Sequence, residues 1–317
     1  MNVIPIAIMA HNEQLLIRRA VENVLNLDIP SDYKMRVIVV SNGCTDNTEL
    51  IVEGICKKYP HDVLLISIKE KGKTKAINAF IKYMNKCIEN GEKMPYVVFL
   101  DADCRFLHKD ALLRYINRHE ENTELVAVGS DCQPNVFNEQ RNDVVAEMYR
   151  AISEMSLKLN DNSISGGSYC IKSHELSKLE FPEIQFAEDM YVSMILDGWF
   201  IRDKNIIVLY EITSNLQSEI RKKIRQEIST KLYHLYYEHI RKVNGHGRMY
   251  AEPLNEVYRW GGYGKRDLLY AWWSLNNIKK RVLVIIYLAI RLYAKLNTYS
   301  IKKLDDKLEN DYWSTER

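Results

Sequence analysis

No apolar run in this 317-residue chain approaches the roughly 20 residues that a membrane-spanning helix needs. The longest, Val282 to Ile290, is closed off by Arg281 and Arg291, so no spanning segment is predicted. Val3 to Met9 is too short for a secretory leader and has no basic flank, so none is predicted there either. Neither sign of charge prevails: 44 lysines and arginines face 42 acidic residues, a balance that gives no reason to expect nucleic acid as a partner. The six cysteines, at 44, 56, 87, 104, 132 and 170, form no Cys-x-x-Cys and no dense framework. They predict reduced thiols in a cytoplasmic protein rather than a disulfide scaffold. Low-complexity tracts and internal repeats are also missing. A globular composition remains, with length for one large domain or two modest ones.

The first two thirds of the chain alternate short apolar runs with segments of helical period. Candidate strands are Ile4–Met9, Arg36–Ser41, Val63–Ile68, Val97–Leu100 and Leu125–Gly129. Candidate helices between them are Asn12–Leu27, Asp46–Lys58, Lys73–Glu89 and Lys109–Arg118, the second opening on the capping run Thr45 to Thr48. This alternation predicts an α/β fold with a mainly parallel, Rossmann-like sheet flanked by helices. Such sheets bind ligands beyond the carboxyl ends of their strands. Ala10-His11-Asn12-Glu13, Asn42-Gly43-Cys44 and Asp101-Ala102-Asp103 each follow a strand directly, so three polar clusters converge on one rim.

The third cluster carries the most chemistry. Asp101 and Asp103 stand one residue apart where Tyr96-Val97-Val98-Phe99-Leu100 leaves the core, and strand alternation points them the same way. Two like charges on one face repel unless a cation or a donor-rich ligand lies between them. Hard divalent cations take one or two carboxylates plus phosphate oxygens, so the pair suggests a metal-bridged diphosphate. Taken alone, an Asp-x-Asp is equally well read as the start of a turn.

The ordered set of motifs resembles the family-2 glycosyltransferases, which have the GT-A fold. The match runs from roughly Val3 to Gly198. His11-Asn12-Glu13 is similar to the family's Pro-Ala-x-Asn-Glu start, and Val39 to Thr48 to its Val-Val-Asp-Asp-Gly-Ser-Thr-Asp-x-Thr segment. Lys71 to Asn78 resembles its Gly-Lys-x-x-Ala-Leu-Asn stretch, and Asp101-Ala102-Asp103, Gly166-Gly167 and Ala187-Glu188-Asp189 follow in order.

The resemblance implies a donor site at Ala10, His11, Asn12, Glu13, Asn42, Lys73, Asp101 and Ala102. Glu13 and Asn42 would face the ribose and base, Lys73 the base or phosphates, and Asp101 the ribose or a metal-bound water. Asp103, with Asp101, would hold Mn²⁺ or Mg²⁺. Asn42 stands where the family often has aspartate, although its carbonyl can still accept a hydrogen bond from a uracil N–H. Asp189 resembles the catalytic base of inverting enzymes, with Glu188 supporting it; acidic residues also favour a first helical turn on electrostatic grounds alone. Processive members carry Gln-x-x-Arg-Trp further on. Here Lys222 to Gln226 lacks both Gln and Trp, and Glu256 to Trp260 lies further away, so Arg225 is taken as the diphosphate contact against the alternative of a solvated basic helix face.

What is implied is a metal-dependent inverting transfer of one sugar from a nucleotide-sugar donor, a UDP-sugar first of all. The acceptor stays open among an oligosaccharide, a lipid carrier, a peptide and a small metabolite. Two rivals remain: a sugar-1-phosphate nucleotidyltransferase, which would want a glycine-rich basic loop after the first strand, and a non-catalytic nucleotide-sugar-binding protein. Lys71-Gly72-Lys73-Thr74 has Ser67 where a P-loop needs its first glycine, and His234, Glu238 and His239 do not form a zinc motif.

A boundary is expected near 212–217, giving a catalytic domain over 1–214 and a helical region over 215–317. Ser218–Lys242 reads as a long basic helix, Gly245–Gly264 as a loop, and Arg266–Ser274 and Lys279–Leu308 as helices. Trp260, Tyr263, Tyr270, Trp272 and Trp273 serve either an acceptor site or tail packing. The apolar and basic mixture of Lys279–Lys295 suits core packing, a homodimer interface or peripheral contact with the inner membrane face.

Overall fold

The structure is a computed structural model that describes residues 1–136, 141–156, 164–179, 181, 187–196, 199–244 and 265–299, without the side chains of 194, 233–244, 265–268 and 299. The glycine-rich loop at 245–264, the run Glu256–Trp260, Tyr263 and residues 300–308 lie outside it, as do the side chains of His234, Glu238 and His239.

In chain order the elements are β1 (Asn2–Ala10), α1 (Ile17–Leu25), β2 (Tyr33–Asn42), α2 (Thr48–Lys58), β3 (Val63–Ile68), α3 (Lys73–Glu89), β4 (Tyr96–Asp101), β5 (Cys104–Phe106) and α4 (Ala111–Glu121). Then come β6 (Ala127–Pro134), α5 (Val144–Ser156), β7 (Ser168–Lys172), α6 (Ser173–Leu176), α7 (Glu188–Ile195), β8 (Phe200–Tyr210), α8 (Leu216–Asn244), α9 (Lys265–Trp273) and α10 (Ile278–Tyr299). The sheet runs β3-β2-β1-β4-β7-β6-β8-β5. Its first four strands are parallel, β7 pairs antiparallel with both β4 and β6, and β5 pairs antiparallel with β8.

Residues alternate between two covered faces. Ile4, Ile6 and Ile8 of β1, with Val37, Val39, Val98 and Leu100, pack on Ile17, Val21 and Val24 of α1 and on Leu112 and Tyr115 of α4. The intervening residues face α3, where Phe80 meets Phe99 edge-on at 5.6 Å and Phe99 stacks on Tyr169 at 4.9 Å. Apolar residues on both faces are what a parallel sheet requires. Helix α1 starts at Ile17 and not at Asn12, because Asn12 takes a left-handed φ of 55° and the residues after it build the rim.

The chain divides into two compact units. The first holds Met1–Cys132 and the described residues of Ile164–Tyr210; the second holds those of Gln133–Ser163 and Glu211–Arg317. The second unit thus takes its helix α5 from within the first two thirds of the chain. There α10 packs on α5 and α8, Tyr149 donates to Glu219 Oε1 at 2.8 Å, and Thr213 donates to Glu219 Oε2 at 2.9 Å.

His119 of α4 has a consequence for stability. It is buried, stacks on Tyr96 at 4.9 Å, and its Nδ1 donates to the Leu125 carbonyl at 3.3 Å. Burial pulls its pKa down from 6.5 to about 4. Between these values the unfolded chain binds the proton and the folded one does not, so stability is lost as pH falls from 6.5 towards 4, on the order of 3 kcal/mol in all. Urea midpoints at pH 7 and pH 4.5 test this: a His119→Leu chain should lose distinctly less stability over the interval than the native chain.

Candidate active site

The rim is built from backbone loops held by side chains that the sequence also offers as ligand contacts. Asn12 is one. Its positive φ suits asparagine, whose short side chain bonds locally, and here its Oδ1 accepts from Thr45 N at 2.7 Å while Nδ2 donates to Thr45 Oγ1 at 3.1 Å. Glu13 N donates to Thr48 Oγ1 at 2.7 Å and Gln14 N to Asp46 Oδ2 at 3.1 Å. The loop after β1 is thereby joined to the loop after β2. His11 adds a bond at 2.6 Å to the Asn42 carbonyl, which can only accept, so Nδ1 carries the proton.

Asn42 also braces the rim. The residue assigned to the uracil is buried, with Nδ2 donating to the Ala10 carbonyl at 2.9 Å and Oδ1 accepting from Gly72 N at 3.1 Å. It ties three rim segments together with one amide hydrogen and one lone pair of its oxygen. Gly43 and Gly72 make the approach feasible: their φ values are 56° and 137°, and a Cβ on Gly43 would lie 2.6 Å from Lys71 Cγ. Ala102 is likewise turned into the core beside Leu100, so a ligand could meet only its backbone.

Lys73, the first residue of α3, bridges two carboxylates far from it in sequence. Its Nζ lies 2.6 Å from Asp101 Oδ1 at the end of β4 and also pairs with Glu188 Oε1 at the start of α7. Burial works against the charged ammonium, yet Asp101 and Glu188 hold its pKa well above the usual lysine range. Burial raises Asp101 to about 6, opposed by Lys73 and reinforced by Asp103 and Glu188. Burial also raises Glu188 and Asp189, again opposed by Lys73.

Asp189 is aimed by backbone. Its Oδ2 accepts from Gly166 N at 3.1 Å and its Oδ1 from Met190 N at 2.9 Å. Behind it, Ser193 donates to the Asp189 carbonyl at 2.7 Å and accepts from Ile164 N at 3.0 Å. The Gly166-Gly167 turn joins the two halves of the site, since the Gly167 carbonyl accepts from Asp101 N at 3.0 Å. A Cβ on Gly166 would stand 3.1 Å from Asp189 Oδ2 and 3.2 Å from Glu188 Oε1, so any larger residue would press on both carboxylates. The turn is held in place by β7, whose register sets Leu100 opposite Ser168. Tyr169 and Ser193 belong to this support and were not singled out from sequence; the Tyr169-Cys170-Ile171 run is too short to announce a strand.

Thus Asp101, Lys73, Glu188 and Asp189 form one connected cluster, and Ala10, His11, Asn12, Glu13 and Asn42 form the neighbouring rim. Arg225 is half-buried on α8, in the second unit. Among the described residues no three His, Cys, Asp or Glu side chains gather as a complete metal cage. Asp101 and Asp103 nonetheless offer the hard oxygen donors that Mn²⁺ and Mg²⁺ take, and the Asp103 charge that helps raise Asp101 is one that a divalent cation would offset. The residues fit a metal carried in on a diphosphate.

A half-parallel, half-antiparallel sheet with acidic residues at the carboxyl end of β4 and at the head of α7 is a GT-A fold. Residues 6–173 match the family described as Glycosyl transferase family 2, and the chain belongs to it. It is 26% identical over 104 residues to the minor teichoic acid biosynthesis protein GgaA of Bacillus subtilis (strain 168), covering 33% of this chain and 21% of that protein. It is 30% identical over 98 residues to the probable glycosyltransferase YdaM of the same organism, covering 29% and 23%. The matches therefore span about a fifth of those relatives. In structure it is similar to the mannosyltransferase PcManGT from Pyrobaculum calidifontis, solved with GDP-Man and Mn²⁺, at a TM-score of 0.57 and 18% identity over 99% of this chain and 88% of that one. Among the described residues no helix is long and apolar enough to cross a membrane.

Proposed function

We propose that the protein is a metal-dependent inverting glycosyltransferase that moves one sugar from a nucleotide-sugar donor, UDP-sugars being the first to test, to an acceptor hydroxyl or comparable nucleophile. The catalytic domain is taken as 1–214, with 215–317 as a helical extension. The observation that carries the reading is the cluster of Asp101, Lys73, Glu188 and Asp189 beneath the Gly166-Gly167 turn. Half-buried, and held by two backbone N–H groups, Asp189 is aimed and its pKa is raised, as suits a general base that must accept a proton. In this scheme it takes the proton of the acceptor as the acceptor attacks the anomeric carbon, and the bond to the diphosphate breaks on the opposite side. Glu188 and Lys73 hold the head of α7 to the end of β4, keeping base and donor site in register. Asp103, with Asp101, would hold the Mn²⁺ or Mg²⁺, which supplies charge neutralisation to the departing diphosphate.

The Asn42 amide is engaged by Ala10 and Gly72 through one hydrogen and one lone pair, which leaves its oxygen able to accept from a base N–H, so uracil and guanine are both to be tested. Calorimetric titration of UDP and GDP with Mn²⁺ decides between them and tests the metal role. Asp103→Asn keeps the shape but removes a charge, and nucleotide affinity that depends on Mn²⁺ should fall at least tenfold. Unchanged affinity in that variant would sink the assignment of Asp103.

A further inference from the structure

Tyr169 of β7 is 2% exposed, yet its hydroxyl has no hydrogen-bond partner among the described residues. Other tyrosines of comparable burial use theirs: Tyr115 donates to Ser168 Oγ at 3.0 Å and Tyr149 to Glu219 Oε1 at 2.8 Å. A buried hydroxyl without a partner forfeits its bonds to water and gains none in return, so it lowers stability and calls for a reason. Phenylalanine would fill the same space, stacked on Phe99 as Tyr169 is, without that loss.

The reason is in what surrounds the ring. Tyr169 stands opposite Phe99 in the register of β4 and β7, and Asp101 comes two residues after Phe99. Strand alternation therefore puts Tyr169 and Asp101 on one face of the sheet, the face on which α3 brings Lys73 to Asp101 Oδ1. Burial first, then the charge of Glu188, raises the phenol well above its usual pKa; Asp189 and Asp101 add to this and Lys73 opposes it. The proton stays on the oxygen, and the group is available as a donor beside three carboxylates.

Lys73 is the point of change. A diphosphate arriving at Asp101 draws the ammonium towards its own oxygens, with which lysine makes strong charge-assisted hydrogen bonds. Glu188 is itself buried, and losing that cation leaves its charge uncompensated unless another donor takes its place.

We propose that Tyr169 is a positioning residue for sugar transfer: its hydroxyl donates to Glu188 when a bound nucleoside diphosphate draws Lys73 away, and so keeps the head of α7, with Asp189, in register with β4. The role presupposes the donor site proposed above for Lys73 and Asp101.

Tyr169→Phe removes that oxygen alone. Without ligand, its urea midpoint should not fall below the parent's, because only an unpartnered hydroxyl is gone. Calorimetric titration should show UDP or GDP, with Mn²⁺, binding about tenfold more weakly than to the parent, the value of one hydrogen bond to a charged group. A side chain that only fills the core could weaken binding only by destabilising the fold. Equal affinity in parent and variant overturns the proposal, and so does a ligand-free midpoint below the parent's. Glu188→Ala supplies a second arm: in that background Tyr169→Phe should leave nucleotide affinity within about twofold, since the acceptor is gone. A tenfold loss in both backgrounds would assign the hydroxyl to the nucleotide and overturn its transfer to Glu188. A parent chain that binds neither UDP nor GDP with Mn²⁺ overturns the donor site itself, a result distinct from equal binding by parent and variant.

Discussion

Asp189→Asn is expected to lower turnover by on the order of 10²–10⁴-fold, the range that a positioned general base contributes. The amide has almost the same shape but only one oxygen, so it keeps one of the two bonds from Gly166 N and Met190 N, and the Ser193 bonds to the Asp189 carbonyl and Ile164 N hold the head of α7 in place. What it cannot do is take a proton. Nucleotide affinity should therefore be close to that of the parent, and the loss should fall on kcat rather than on the donor KM. Single-turnover sugar transfer, read beside calorimetric nucleotide binding, separates these. Near-normal turnover would reduce Asp189 to a helix cap, for which acidic residues in a first turn are already suited. If Glu188 were the base instead, Glu188→Gln would carry the larger loss, although its pairing with Lys73 makes it the poorer candidate.

Phe80→Ala is expected to destabilise the protein by about 3–5 kcal/mol, the usual cost of emptying a buried phenylalanine site. Phe80 has no exposed surface and meets Phe99 edge-on at 5.6 Å, with Phe99 stacked in turn on Tyr169. The three rings join α3, β4 and β7, the elements that carry Lys73, Asp101 and the Gly166-Gly167 turn. Collapse around the cavity would shift α3 and hence Lys73. The urea midpoint of the variant should fall with an unchanged slope, and at low denaturant its turnover should fall further than a surface substitution on α3 such as Lys82→Ala. A midpoint within 1 kcal/mol of the parent would mean that the site repacks without a cavity.

The parallel half of the sheet was legible because β1, β2 and β4 are apolar runs largely buried on both faces and β3 is an apolar run at the sheet edge. Ile4–Met9, Val63–Ile68 and Lys73–Glu89 could be read closely for that reason, as local periodicity reflects burial directly. Of the antiparallel half only the start of β6 was legible, as Leu125–Gly129. Strand β5 has three residues, β7 has five, and β8 mixes Arg202, Asp203 and Lys204 among its apolar positions. Their strand character depends on partners distant in sequence. Helix α1 was read too long at its start for a related reason: Asn12 has an ordinary local pattern around it, and only its bonds to Thr45 turn the chain there.

By itself the sequence determined the order of strands and helices in the parallel half, the family, and the inventory of groups available at the strand ends. Those follow from periodicity and from short motifs, which are properties of neighbouring residues. The tertiary structure decided how each group is used. It committed Asn42 to Ala10 and Gly72, shared Lys73 between Asp101 and Glu188, and placed Gly166 N against Asp189. Each of these is a contact between residues brought together only when the sheet closes, and each lies where burial makes an unpartnered polar group costly. Residues that read equally well as ligands or as struts are separated by that cost alone.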